Sequence, residues 1–128
     1  MEKIHNFMAE SLLSISPTAS ILEASHVMHE NEIHSLLVEE AGEYIGIITN
    51  HDIGGKVISK NLDPQKMQVA EIMSFPLVKL ESKESMEKAA QVMRDHAIHH
   101  LAVTEHGQML GTLSIFDYYK YLVQKHPR

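Results

Sequence analysis

With 128 residues, 44% of them apolar, the chain has material for one ordinary domain or for two very small ones that depend on each other. A formal charge of −6 without a local basic patch disfavours nucleic acid or an anionic membrane as partner, and the lack of cysteine excludes disulfides, thiolate nucleophiles and cysteine-ligated zinc. No apolar run nears the ~20 residues of a bilayer span and MEKIHNFMAE lacks the apolar stretch of a signal peptide, so a cytoplasmic location is expected. In chain order, SLLSIS at 11–16 reads as a strand that runs into the turn and cap residues Ser16-Pro17-Thr18. Ile21, Ala24, Ser25 and Met28 then form the stripe of a helix with one buried face. IHSLLVEE at 33–40 and YIGIITN at 44–50 predict two strands joined by a tight turn at Ala41-Gly42, and a second helix is expected to begin near Asp52. A polar stretch around Pro64, assigned to residues 61–70, reads as a connector. The order then repeats: a strand in PLVKLE at 76–81, a cap at Ser82, a helical stripe through Met86, Ala89, Ala90 and Met93. Strands in IHHLAVTE (98–105) and MLGTLSI (109–115) follow around His106-Gly107, with a helix near Asp117.

The repetition is quantitative. An offset of 65 residues aligns Met8 through Asp52 with Met73 through Asp117 without a gap, and fourteen of the 45 pairs are identical. The fold class expected is α+β: two pseudo-symmetric β-α-β-β-α halves, at 1–60 and 71–128, packed through their sheets into one module. Neither half is large enough to be secure alone, and two related copies create two related clefts.

The phrase GIITNHD at 46–52 returns as GTLSIFD at 111–117, which fixes a hydroxyl and an acid three residues apart in each half: Thr49 with Asp52 and Ser114 with Asp117. A carboxylate accepts hydrogen bonds from both hydroxyls of a ribose diol, and the neighbouring hydroxyl meets a further sugar or phosphate oxygen. A helix beginning there adds free N–H groups and partial positive charge, which suit an anionic phosphate. The competing reading is an ordinary helix cap, which does not exclude binding. Gly54-Gly55 would admit a ligand closely and loosen the helix. Among the ten histidines, His26 with His29, or His96 with His99 and His100, have spacings that suit a metal, but a third ligand on the same face is missing and no metal is expected. No nucleophile elbow, HExxH helix, P-loop or dinucleotide fingerprint is present, so no enzymatic role and no catalytic residue are expected.

Taken as an ordered set, these features resemble a tandem cystathionine-β-synthase (CBS) domain pair, the Bateman module. They are the methionine before each first strand, the A-x-x-x-M helix pattern, IHSLLV with IHHLAV, and the doubled G-h-h-[ST]-x-x-D. The resemblance implies a stand-alone regulatory protein with no required cofactor, binding AMP, ADP, ATP, S-adenosylmethionine or NAD in clefts between the halves. It also implies a homodimer that signals to a separate effector protein. Carried over by position, one cleft would use Ser114 and Asp117 with Leu13, Ile33, His34 and Ser35, the other Thr49 and Asp52 with Val78, Ile98, His99 and His100. Relatives place a basic side chain at the position of His100, in contact with phosphate; an imidazole there weakens the case for a polyphosphate at neutral pH. The alternative is a dimerising or partner-binding scaffold with no ligand.

Overall fold

Both helical stripes are capped later than expected, by Ser20 and Ser85 and not by Ser16 or Thr18 and Ser82, because Ser16 and Thr18 are held in a turn of their own. In the computed structural model, which describes residues 2–126, Ser20 Oγ accepts from the Glu23 N–H at 3.0 Å and Ser85 Oγ from the Lys88 N–H at 3.0 Å. These caps open α1 (Ile21–Glu30) and α3 (Met86–Asp95), and each helix is left through a residue of positive φ, Glu32 at 53° and Ala97 at 53°. The strands that precede them are shorter than the apolar runs suggest. β1 is only Ser14–Ile15 and β4 only Lys79–Glu81. Pro76, with no N–H to donate, stands outside β4, and Leu12 and Leu13 remain about 40% exposed outside β1.

The hairpins match the expected segments. β2 (Ser35–Glu40) pairs antiparallel with β3 (Glu43–Thr49), and β5 (His100–Glu105) with β6 (Gln108–Ser114). Their two-residue turns have positive φ at both central positions, 52° at Ala41 and 81° at Gly42, 52° at His106 and 80° at Gly107, which matches strand twist. β1 runs parallel to β2 and β4 to β5, giving two three-stranded sheets of order β1-β2-β3 and β4-β5-β6. α2 (Asn50–Ile53) leaves β3 and passes into one π-helical turn, Gly54–Ile58, whereas α4 (Ile115–Lys125) leaves β6 as an unbroken helix.

The chain divides into two compact units, residues 13–77 and residues 1–12 with 78–128. Each has its own core. Ile21, Met28, Leu36, Val38 and Ile48 are the heart of the first, and Ile4, Met86, Met93, Leu101 and Leu113 of the second, all no more than 2% exposed. Each such side chain contributes ~1.5–3 kcal/mol by leaving water.

A strap closes each unit by pairing with its last strand. Ser74 bridges Ile47 of β3 in the first unit, and Ala9 bridges Thr112 of β6 in the second. Ser74 and Ala9 occupy the same position in the repeat, 65 residues apart. The strap that begins one sequence repeat therefore belongs to the compact unit built from the other repeat's hairpin.

Candidate functional site

The doubled hydroxyl and acid stand where each hairpin ends and its helix begins. Thr49 is the cap residue of α2: its Oγ1 accepts from the Asp52 N–H at 3.0 Å, while Asp52 Oδ2 accepts from the Thr49 N–H at 3.2 Å. Ser114 caps α4 in the same way, accepting from the Asp117 N–H at 3.2 Å while Asp117 Oδ2 accepts from the Ser114 N–H at 2.8 Å and from its hydroxyl at 3.1 Å. The helices thus begin at Asn50 and Ile115, and the acids are their third residues. The capping reading is correct for both phrases.

The two acids are not equivalent. Asp52 Oδ1 faces the Lys56 ammonium at 3.4 Å, and Lys56 also donates to the Ile72 carbonyl at 3.1 Å. Asp117 uses only Oδ2 among the described residues, so Oδ1 remains an acceptor for an incoming hydroxyl. Lys56 escaped the sequence reading although its signal, a lysine four residues after an acid on a helix, is present.

The other candidates gather at the same ends, unit by unit. Ser35 lies opposite Thr49, and the His34 carbonyl accepts from the Asn50 N–H at 3.0 Å. His100 lies opposite Ser114, and the His99 carbonyl accepts from the Ile115 N–H at 2.8 Å. Leu13 and Val78 flank the starts of β1 and β4, where their carbonyls accept from Leu37 at 3.2 Å and Ala102 at 2.8 Å. Ile33 and Ile98 pack against the margins of the two cores. Leu13, Ile33, His34 and Ser35 are therefore brought together with Thr49 and Asp52, and Val78, Ile98, His99 and His100 with Ser114 and Asp117. Each end holds the acid of one expected set and the base-facing residues of the other.

Equivalent hollows adjoin these ends, about 710 Å³ beside Ile33, His34 and Asn50 and about 370 Å³ beside Ile98, His99 and Ile115. His29, singled out from sequence only as a partner of His26 for a metal, lines the first, and Arg94, not singled out, lines the second. Among the described residues no three His, Asp or Glu side chains are arranged to hold a metal, and no helix is long and apolar enough to cross a membrane.

The family model for the CBS domain matches twice, at residues 4–55 and 69–124. The CBS domain-containing protein YhcV of Bacillus subtilis is 28% identical over 91% of this chain and 83% of its own length. Other curated relatives are larger, and the chain spans 53% and 19% of two of them. A hexameric CBS-CP12 protein from bloom-forming cyanobacteria has the same fold with a TM-score of 0.86 and 28% identity, over 98% of this chain and 75% of that one. The CBS domain pair of protein MJ0100, solved with 5′-methylthioadenosine and S-adenosyl-L-methionine, superposes with a TM-score of 0.83 at 22% identity, covering 98% of this chain and 99% of that one. With two family matches on two units of repeated β-α-β-β-α order, the chain belongs to the CBS domain family and is a tandem pair of such domains.

Proposed function

We propose that the pair is a regulatory module that binds an adenosine-bearing ligand through its doubled hydroxyl and acid pairs. The observation that carries this reading is the fixed geometry of Ser114 with Asp117 and Thr49 with Asp52, each held at a helix start by reciprocal hydrogen bonds. Such a pair presents a carboxylate to a ribose diol without having to order itself on binding. The ligands of MJ0100 carry the same nucleoside. In this reading Asp117, with one oxygen uncommitted, grips the sugar in one site. In the other, Asp52 shares its charge with Lys56, which supplies a cation for phosphate.

The output is a population shift: a bound ligand favours one conformation of the protein, and a partner reads that conformation. The protein acts as a homodimer in the cytoplasm and has no catalytic step of its own. Assembly through helices is supported by Phe116, Tyr119 and Val123, which are 61%, 53% and 71% exposed along one face of α4, and by the hexameric state of the cyanobacterial relative. Thermal melting in the presence of AMP, ADP, ATP, S-adenosylmethionine and NAD tests the reading. A true ligand at ~100 times its Kd stabilises the fold by about 2.7 kcal/mol, and a flat response across the whole panel leaves only the scaffold role.

A further inference from the structure

One side chain joins the first unit's strap to the candidate site. Lys56, in the π-helical turn that continues α2, donates to the Ile72 carbonyl at 3.1 Å while its ammonium stands 3.4 Å from Asp52 Oδ1. Two residues beyond Ile72, Ser74 exchanges both backbone hydrogen bonds with Ile47 of β3, donating at 2.9 Å and accepting at 3.1 Å. A cation therefore lies between the acid of the helix cap and the segment that pairs with the last strand of the sheet.

The second unit makes the same connection with different chemistry. At the repeat offset of 65 residues, Tyr121 stands for Lys56, Phe7 for Ile72, Ala9 for Ser74 and Asp117 for Asp52. Phe7 meets Tyr121 edge to face, with ring centroids 5.4 Å apart, and both pack with the second core. The Tyr121 hydroxyl donates to Glu87, and among the described residues Asp117 bonds only within its own cap. Helix and strap are thus joined by an aromatic contact in one unit and by a half-exposed ammonium in the other. Salt screens the ionic contact and leaves the aromatic one.

Asp52 does more than attract this ammonium. An exposed lysine samples many rotamers, and a carboxylate four residues earlier narrows them to those that reach Ile72. The acid is a positioning residue for the strap through Lys56.

We propose that Lys56 is a charge-operated latch that transmits the state of the Asp52 carboxylate to the strap, so that a change at this acid alters the pairing of Ser74 with Ile47. The latch gives the first repeat a regulatory output that the second lacks. It deepens the ligand reading, on which it rests for what engages Asp52, while the latch itself operates without ligand.

Amide hydrogen exchange of the ligand-free chain tests it, with Ala9 and Thr112 of the second strap as the internal reference. Raising sodium chloride from about 0.05 M to about 1 M should lower the protection of Ser74 and Ile47 by roughly two- to fivefold relative to Ala9 and Thr112. Lys56→Met, which keeps the chain length without the charge, gives the same loss and abolishes the salt response, whereas Lys56→Arg retains both protection and response. Asp52→Asn, which keeps the cap, lowers Ser74 protection when Lys56 is present and has no effect on it when residue 56 is methionine. The proposal is overturned if salt moves both straps equally, if Lys56→Met leaves Ser74 protection unchanged, or if Asp52→Asn acts equally with and without Lys56. Should a variant fail to fold, the salt series on the wild-type chain decides alone. A nucleotide panel that binds nowhere removes the ligand reading and leaves this cycle standing, and a flat cycle removes the latch and leaves nucleotide binding standing.

Discussion

Ala9 and Thr112 exchange both of their backbone hydrogen bonds, at 2.9 Å each, and this pairing lays the Ala9 carbonyl against the Cα of Gly111. The equivalent Ser74 carbonyl oxygen stands 2.7 Å from where a side-chain carbon on Gly46 would begin. The glycine that opens each repeated phrase is thus required by the strap that crosses it. Gly46→Ala and Gly111→Ala should each destabilise the fold by ~1–3 kcal/mol in urea melts, with loss of the strap's amide protection, because the obstruction is backbone and cannot rotate away.

The glycine after α2 has the opposite prospect. Gly54 has ordinary helical angles, φ −61° and ψ −46°, and an added Cβ there meets nothing within 4 Å. Gly54→Ala should stabilise the protein by about 0.4–1 kcal/mol by restricting the unfolded chain. A lowered melting temperature would show that the π-helical turn needs freedom at this point.

Glu81 ties β4 to the hairpin turn of β5 and β6. Its carboxylate accepts from the Thr104 hydroxyl, from the His106 N–H at 2.9 Å and from the Gly107 N–H at 3.5 Å. These bonds, the Thr104 hydroxyl first, pull its carboxyl below the ordinary 4.5. The folded pKa is depressed, so the stabilisation is complete above 4.5 and fades as pH falls through the lower folded value. Comparing Glu81→Gln with wild type should show the largest melting difference at neutral pH, closing in acid. A difference that grows in acid would reverse the sign.

Much of this architecture is legible in sequence because it rests on local rules. The apolar stripes through Met28 and Met93 announce their helices, though the caps fall on Ser20 and Ser85 instead of the earlier serines, and Gly42 and Gly107 announce their turns. The capping boxes at Thr49 and Ser114 follow from the same hydroxyl and acid spacing that suggested a binding pair. The straps were hidden for a different reason. Ala9 and Ser74 sit in short segments without strand periodicity whose pairing lies far along the chain, and the contiguous repeat gives no sign that each closes the other repeat's hairpin. The cation on Asp52 was missed because Lys56 has no counterpart at 121, where the repeat places a tyrosine.

Core packing within each repeat should respond alike. Met28 and Met93 are identical pair members at 0% and 2% exposure, so Met28→Ala and Met93→Ala should each cost ~2–5 kcal/mol. Chemical denaturation monitored by residue-specific probes checks this; a cost below ~1 kcal/mol at either site would mean that its core collapses freely around the gap.

The uncommitted oxygen of Asp117 and the lysine-paired carboxylate of Asp52 make the sharpest contrast for the ligand-binding account. Isothermal titration of wild type, Asp117→Asn and Asp52→Asn with each adenosine ligand reads it directly, since asparagine preserves the cap and removes the charge. The account predicts that Asp117→Asn weakens the ligand by about tenfold or more, and that Asp52→Asn has a smaller effect on a ligand without phosphate. Equal wild-type affinity in both variants would contradict it.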